Sequence, residues 1–287
     1  CVLAVCVELC SIHIQPSVDR EDLFAASLFG DGAGACVVGR AWPEQKNVFT
    51  LDGARATLLP DTADEMLWRV GDTGFRLYLS PRIPSLIERS VPAEIARFLA
   101  ESGGAEPRWW AIHPGGRGIV DALQRAMGLT DEQTRASRDI LRRYGNLSSV
   151  TILFVLEEIR RELAGKAQEA VPGIALAFGP GMQAEMIRLS CVPAGGEQTA
   201  LRPEEANVAA NPIVTGPELM DLAAAGGAEL REAYRHLRRL NRLFGTAGPV
   251  LFGVRRIWAD AGRPARLTVL DIGAGAGDVN RLLLRWG

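Results

Sequence analysis

Through residue 190 the chain alternates short apolar, β-branched runs with longer helical repeats, and glycine, proline or Asx residues punctuate the changes of period. A chain patterned this way buries sheet faces under helices, so it folds as a layered α/β domain. Residues 1–14 read as a buried strand, 22–29 as a short helix, and 34–38 and 47–59 as strands. Residues 81–102 read as a helix with Pro84 in its first turn and Gly103-Gly104 after its end. A strand at 109–112 runs into His113-Pro114-Gly115-Gly116. Helices are expected at 118–127, 131–143 and 150–163, and strands at 173–178 and 185–191 around Gly179-Pro180-Gly181-Met182.

Composition narrows the function classes. At 287 residues, 47% apolar and 23% charged, the chain has the makeup of a globular protein with one large core or two smaller ones. A net charge of −2 offers no global field for nucleic acid. Apolar runs break well before the ~18 residues a membrane span needs. Cys1, Cys6, Cys10 and Cys36 lie early and Cys191 stands alone, a spacing that fits neither a disulfide framework nor a zinc site. No metal is expected, and with no secretory leader pattern a reducing cytoplasm is.

The pattern changes near residue 190. Residues 1–190 form one expected domain, 191–212 a Pro-, Gly- and Ala-rich linker, and 213–287 a second region with an amphipathic helix at 229–244. A helix at 249–261 then leads to a strand at 267–272. The chain opens inside an apolar run and stops just after a glycine turn, so both ends read as cut through structured regions.

Two residues suggest chemistry. His113 sits at a strand end before Pro-Gly-Gly, and Asn146 sits in the Gly-flanked loop before the helix at 150. An imidazole N–H and a carboxamide N–H can donate together to one oxygen, stabilising a thioester oxyanion or enolate. The imidazole could instead pair with a thiol, or be a satisfied structural histidine.

Six ordered segments sharpen this: VELCSIHIQPS (7–17), SLFGDGAGACVVG (27–39), VGDTGFRLYLSPRIP (70–84), AIHPGG (111–116), SRDILRRYGNLSSVTILFVLEEI (137–159) and AFGPGM (177–182). With them, residues 1–190 resemble the C-terminal part of a type III polyketide synthase, of the chalcone/stilbene synthase family and the thiolase fold. The ELCS stretch is closer to the bacterial branch than to the plant one. The resemblance implies decarboxylative condensation of malonyl-CoA onto an acyl-CoA starter, without a cofactor. It makes His113 and Asn146 the catalytic pair that holds the thioester carbonyl while CO₂ leaves. It puts Phe29 and Phe75 at the gate between CoA tunnel and pocket, Cys10 and His13 on the growing-chain cavity, and Gly118 near the CoA. It also implies a homodimer at full length. The family's nucleophilic cysteine belongs to sequence before residue 1, so the chain alone is expected to form no acyl-enzyme. A ketoacyl-ACP synthase III-type enzyme, a non-catalytic thiolase-like scaffold, and an artefactual join of two reading frames are the alternatives.

A second motif lies near the end. The strand-turn VLDIGAGAG (269–277) resembles motif I of class I S-adenosylmethionine-dependent methyltransferases. That likeness implies a Rossmann-like fold begun but incomplete, with Asp271, Gly273, Gly275 and Gly277 facing the cofactor. Cofactor binding by so short a stretch is expected to be absent or very weak.

Overall fold

A computed structural model describes residues 2–14, 17–39, 48–71, 74–103, 105–164, 169–192, 255 and 269–271. The chain divides into two compact units, one from Glu8–Gly34 and Ala41–Val208, the other from Cys1–Val7, Ala35–Arg40 and Ala209–Gly287.

In the larger unit a four-stranded sheet has the order β3 (Val48–Leu58), β8 (Gln183–Val192), β7 (Val171–Gly179), β6 (Trp109–Ile112). The β3–β8 and β8–β7 pairs are antiparallel, and β7–β6 is parallel. The strands alternate sides, as a pleat requires. Trp110, Ile112, Ile174, Leu176 and Met186 point to one face, where helices α2 (Ile83–Ser102) and α3 (Arg117–Met127) bury Ile87, Val91, Ile95 and Leu123 against them. Trp109, Ala111, Ala175 and Leu189 point to the other, covered by α4 (Asp131–Tyr144) and α5 (Val150–Leu163) through Ala136, Ile140, Val155 and Ile159. The expected layered α/β architecture is therefore present in these residues. Gly173 is required beside Trp109, whose indole occupies the space a Cβ would take and donates from Nε1 to the Val171 carbonyl at 2.8 Å.

Two elements differ from the sequence expectation. Strand β1 (Val2–Glu8) stops at Glu8 and a 3-10 turn, Cys10–His13, follows it. Only Leu3 of that strand is buried, so the 1–14 run is neither one strand nor a fully buried one. Val2 and Val7 are exposed, and Ala4, Val5 and Cys6 are half-buried. The second difference is a hairpin, β4 (Met66–Gly71) and β5 (Gly74–Leu79), where no element was expected. Arg69 and Arg76 face each other across it and blunt the apolar signal.

Helix α1 (Arg20–Leu28) and strand β2 (Gly32–Val38) flank the GDG turn. In the smaller unit β1 pairs in parallel with β9 (Val269–Asp271), placing Asp271 opposite Val5. The expected linker begins inside β8, which runs through Cys191 to Val192; its remainder, the expected helices at 229–244 and 249–261 apart from Arg255, and Gly273, Gly275 and Gly277 lie outside the described residues.

Candidate active site

His113 begins where β6 ends. Its backbone N–H still pairs with β7, donating to the Leu176 carbonyl at 2.7 Å, so the ladder fixes its position. The chain then turns, with the Gly115 N–H donating to the His113 carbonyl at 2.9 Å. The imidazole lies against this turn: a Cβ built on Gly115 would stand 3.7 Å from both Nε2 and Cδ2 of His113 and 2.9 Å from Ile119 Cδ1. A side chain at 115 would therefore press on the Ile119 side chain of α3 while standing at ordinary contact distance from the ring. Burial pushes the His113 imidazole down to about 4. At neutral pH the ring is neutral, with one N–H to donate.

Asn146 reaches the same turn from the far side of the unit's sequence. Its Nδ2 donates to the Gly115 carbonyl at 3.1 Å, and its Oδ1 accepts from the Ser148 N–H at 2.9 Å. The side chain is buried. Gly145 precedes it at φ +75°, a conformation suited to glycine, and the loop is laced to the end of α1. Asn146 N–H donates to the Leu28 carbonyl at 2.8 Å and Gly30 N–H donates to the Asn146 carbonyl at 3.0 Å, bridging Phe29 to Asn146. Of the sequence-predicted residues, His113 and Asn146 thus meet at one glycine turn, and the Phe29 backbone is bridged to Asn146.

Cys10 opens the 3-10 turn that follows β1. Asp31 of the GDG turn anchors it, accepting from the Ser11 N–H at 2.7 Å and the Ser11 hydroxyl at 2.6 Å. Glu8 accepts from the N–H and hydroxyl of Ser149, just after the Asn146 loop, and so joins the two segments. Burial, aided by the Glu8 and Asp31 carboxylates, pushes the Cys10 thiol up to about 12. Cys36 and Cys191 are also raised, chiefly by burial. These three are thiols, not thiolate nucleophiles, at neutral pH. His13 closes the same turn as Cys10, and Phe75 is opposite Val70 in β5. Strand β5 borders both α1 and that turn, bringing the segments of Phe75, Phe29, Cys10 and His13 together.

Gly118 stands in the first turn of α3, where a Cβ would approach Pro84 Cγ to 3.0 Å. Its small size lets α2 and α3 pack closely. Sequence reasoning gave the GDG turn no chemistry and passed over Glu8. An acid between two glycines was the available signal for Asp31, whereas nothing local announces Glu8. Among the described residues no group of three or more His, Cys, Asp or Glu side chains could hold a metal ion, and no helix is long and apolar enough to cross a membrane.

Comparison with known proteins bears on this arrangement. A profile of the family described as "Chalcone and stilbene synthases, C-terminal domain" matches residues 50–193. The rice (Oryza sativa subsp. japonica) protein named Type III polyketide synthase 10 is 39% identical over 186 residues, which are 60% of this chain and 46% of that one. The crystal structure of PKS-I from the brown alga Ectocarpus siliculosus superposes with a TM-score of 0.61 at 30% identity, covering 66% of this chain and 52% of the other. The C-terminal type III polyketide synthase domain of Steely1, a type I/III hybrid from Dictyostelium, gives 0.58 at 28%, covering 66% and 53%. The chain spans about half the length of these relatives.

Proposed function

The chain belongs to the chalcone and stilbene synthase family, and from that membership we propose that it carries the malonyl-activating part of a type III polyketide synthase centre. The reading is supported by one contact above all: Asn146 Nδ2 donates to the carbonyl of Gly115, the residue against which the His113 imidazole lies. The neutral imidazole and the carboxamide each present an N–H to the thioester oxygen of malonyl-CoA. As the bond to the carboxylate breaks, CO₂ leaves and its electron pair moves onto that oxygen as an enolate. Two fixed donors stabilise this charge without reorganising. The enolate carbon then attacks the carbonyl of an acyl thioester, and the same donors hold the resulting oxyanion.

Phe29 and Phe75 form the gate in this proposal, Cys10 and His13 shape the growing-chain cavity, and Gly118 lies near the CoA. The acyl-carrying thiol is a cysteine other than Cys10, Cys36 and Cys191, whose thiols are all held protonated. Family membership favours this chemistry over a ketoacyl-ACP synthase III-type enzyme. Assembly as a homodimer remains part of the proposal. For residues 213–287 we propose the start of an S-adenosylmethionine-dependent methyltransferase module, supported by the VLDIGAGAG motif.

The test supplies the chain with the amino-terminal half of a type III synthase, as a source of a cysteine nucleophile, and follows ¹³CO₂ release from carboxyl-labelled malonyl-CoA. Asn146→Asp and His113→Gln should each lower the rate by about 10²-fold or more. The chain by itself, incubated with an acyl-CoA, should show no acyl adduct by intact mass. A stoichiometric adduct, or CO₂ release indifferent to both substitutions, would overturn the reading.

A further inference from the structure

The carboxamide of Asn146 is useful as a donor only if its NH₂, not its carbonyl, faces the His113 turn. A carboxamide has two nearly isosteric orientations, so something must choose between them. The Ser148 N–H is one donor aimed at Asn146 Oδ1. Thr151 supplies another. It sits in the first turn of α5 with no exposed surface, far from solvent that could satisfy its hydroxyl. Its Oγ1 accepts from the Leu147 N–H at 2.8 Å. That contact occupies a lone pair and directs the hydroxyl proton to its remaining partner, Asn146 Oδ1 at 3.4 Å. Flipping the amide would set its NH₂ against an N–H and an O–H donor, and set its carbonyl oxygen against the Gly115 carbonyl. Every contact would then be repulsive or lost.

We propose that Thr151 is a positioning residue that, with the Ser148 N–H, locks the Asn146 carboxamide with its NH₂ toward the His113 turn. One N–H is held by Gly115, and the other has no further acceptor among the described residues, which leaves it for a substrate oxygen. The Thr151 hydroxyl touches no reacting atom. Its use in catalysis rests on the reading of Asn146 given above, whereas the orientation of the amide does not.

The test reads the Asn146 side-chain NH₂ by ¹H–¹⁵N NMR in the full chain, assigned by its loss in Asn146→Asp. Thr151→Val keeps the shape of the side chain and removes the hydroxyl. It should raise exchange of the NH₂ protons with water by about tenfold or more and move the pair toward the free-asparagine position. Thr151→Ser, which restores a hydroxyl, should return the wild-type signature. An unchanged pair in a folded Thr151→Val protein, or failure of Thr151→Ser to restore it, overturns the inference. If Thr151→Val does not fold, the wild-type protein decides. A slowly exchanging Thr151 hydroxyl proton with cross-peaks to the Leu147 amide and the Asn146 side chain supports the lock, and its absence refutes it. In the reconstituted assay, Thr151→Val should lower kcat by about tenfold with KM within about twofold. Asn146→Asp with undiminished rate would sink the catalytic reading and leave the amide result standing.

Discussion

Gly145 is the residue on which the Asn146 loop turns. Its φ of +75° and ψ of −162° fall where essentially only glycine is at ease, and a Cβ there would meet the Leu28 carbonyl oxygen at 2.7 Å. That carbonyl is also the acceptor for the Asn146 N–H, so the clash strikes the bridge that seats the site. Gly128 offers the control, because it is left-handed at φ +63° with nothing within 4 Å of a built Cβ. Gly128→Ala should cost about 1 kcal/mol of backbone strain. Gly145→Ala should cost clearly more, about 2–4 kcal/mol, since strain and the clash add. Urea unfolding of the two variants side by side measures the difference, and equal losses would contradict the tight seat described for this loop. His113 and Asn146 were singled out in the sequence by the family resemblance of the AIHPGG and GNLSS stretches, which their flanking glycines and strand end support only weakly. The lock on Asn146 was not, because Thr151 reads only as one more residue of an apolar helix.

The elements that hold the site are stabilised by features of very different visibility. Helix α4 begins with a reciprocal capping box: Thr130 Oγ1 accepts from the Gln133 N–H at 3.2 Å, and Gln133 Oε1 accepts from the Thr130 N–H at 3.0 Å. Asp131 and Glu132 add favourable charge in its first turn. The same helix carries buried Ser137, whose hydroxyl accepts from the Ile112 N–H at 3.0 Å and so ties α4 to the strand that delivers His113. Thr130→Ala should lower stability by about 1 kcal/mol by denaturant unfolding while leaving the position of β6 intact, because the Ser137 contact does not depend on the cap. Boundaries of α2 and α4 were readable because Pro84, the acidic first turn of α4 and terminal glycines sit in the sequence next to the turns they make. The hairpin β4–β5 was not, since its opposed arginines and central glycines break the alternation that announces a strand.

Over the molecule as a whole, His113 couples the site to global stability. Above about pH 6.5 the imidazole is neutral both folded and unfolded, and it contributes no pH dependence. Between about 6.5 and about 4 the unfolded chain takes up a proton that the folded site refuses, so stability falls as the pH falls through this window. Below about 4 both states are protonated at this position and the loss levels off. The stability of wild type relative to His113→Gln should therefore be constant from pH 8 to about 6.5 and decline from there to about 4. Unfolding free energies at pH 7.5, 6.5, 5.5 and 4.5 check this, and a difference that does not change with pH would mean that the imidazole is not desolvated by the fold.

What the linear order of residues determined was the alternation of periods, the turns and caps that divide it, and the motifs around His113 and Asn146 that pointed to a layered α/β condensing domain. Each of these depends on neighbours a few positions apart, through backbone dihedrals and short-range hydrogen bonds. Only the tertiary structure decided that His113 and Asn146 meet at Gly115, that Asp31 anchors the Cys10 turn and Glu8 links it to the Asn146 loop, and that the imidazole is neutral while the Cys10 thiol stays protonated. The reason is that desolvation and hydrogen-bond partnership are sums over atoms contributed by elements distant in the chain. No window of sequence contains them until the sheet and its covering helices have been assembled.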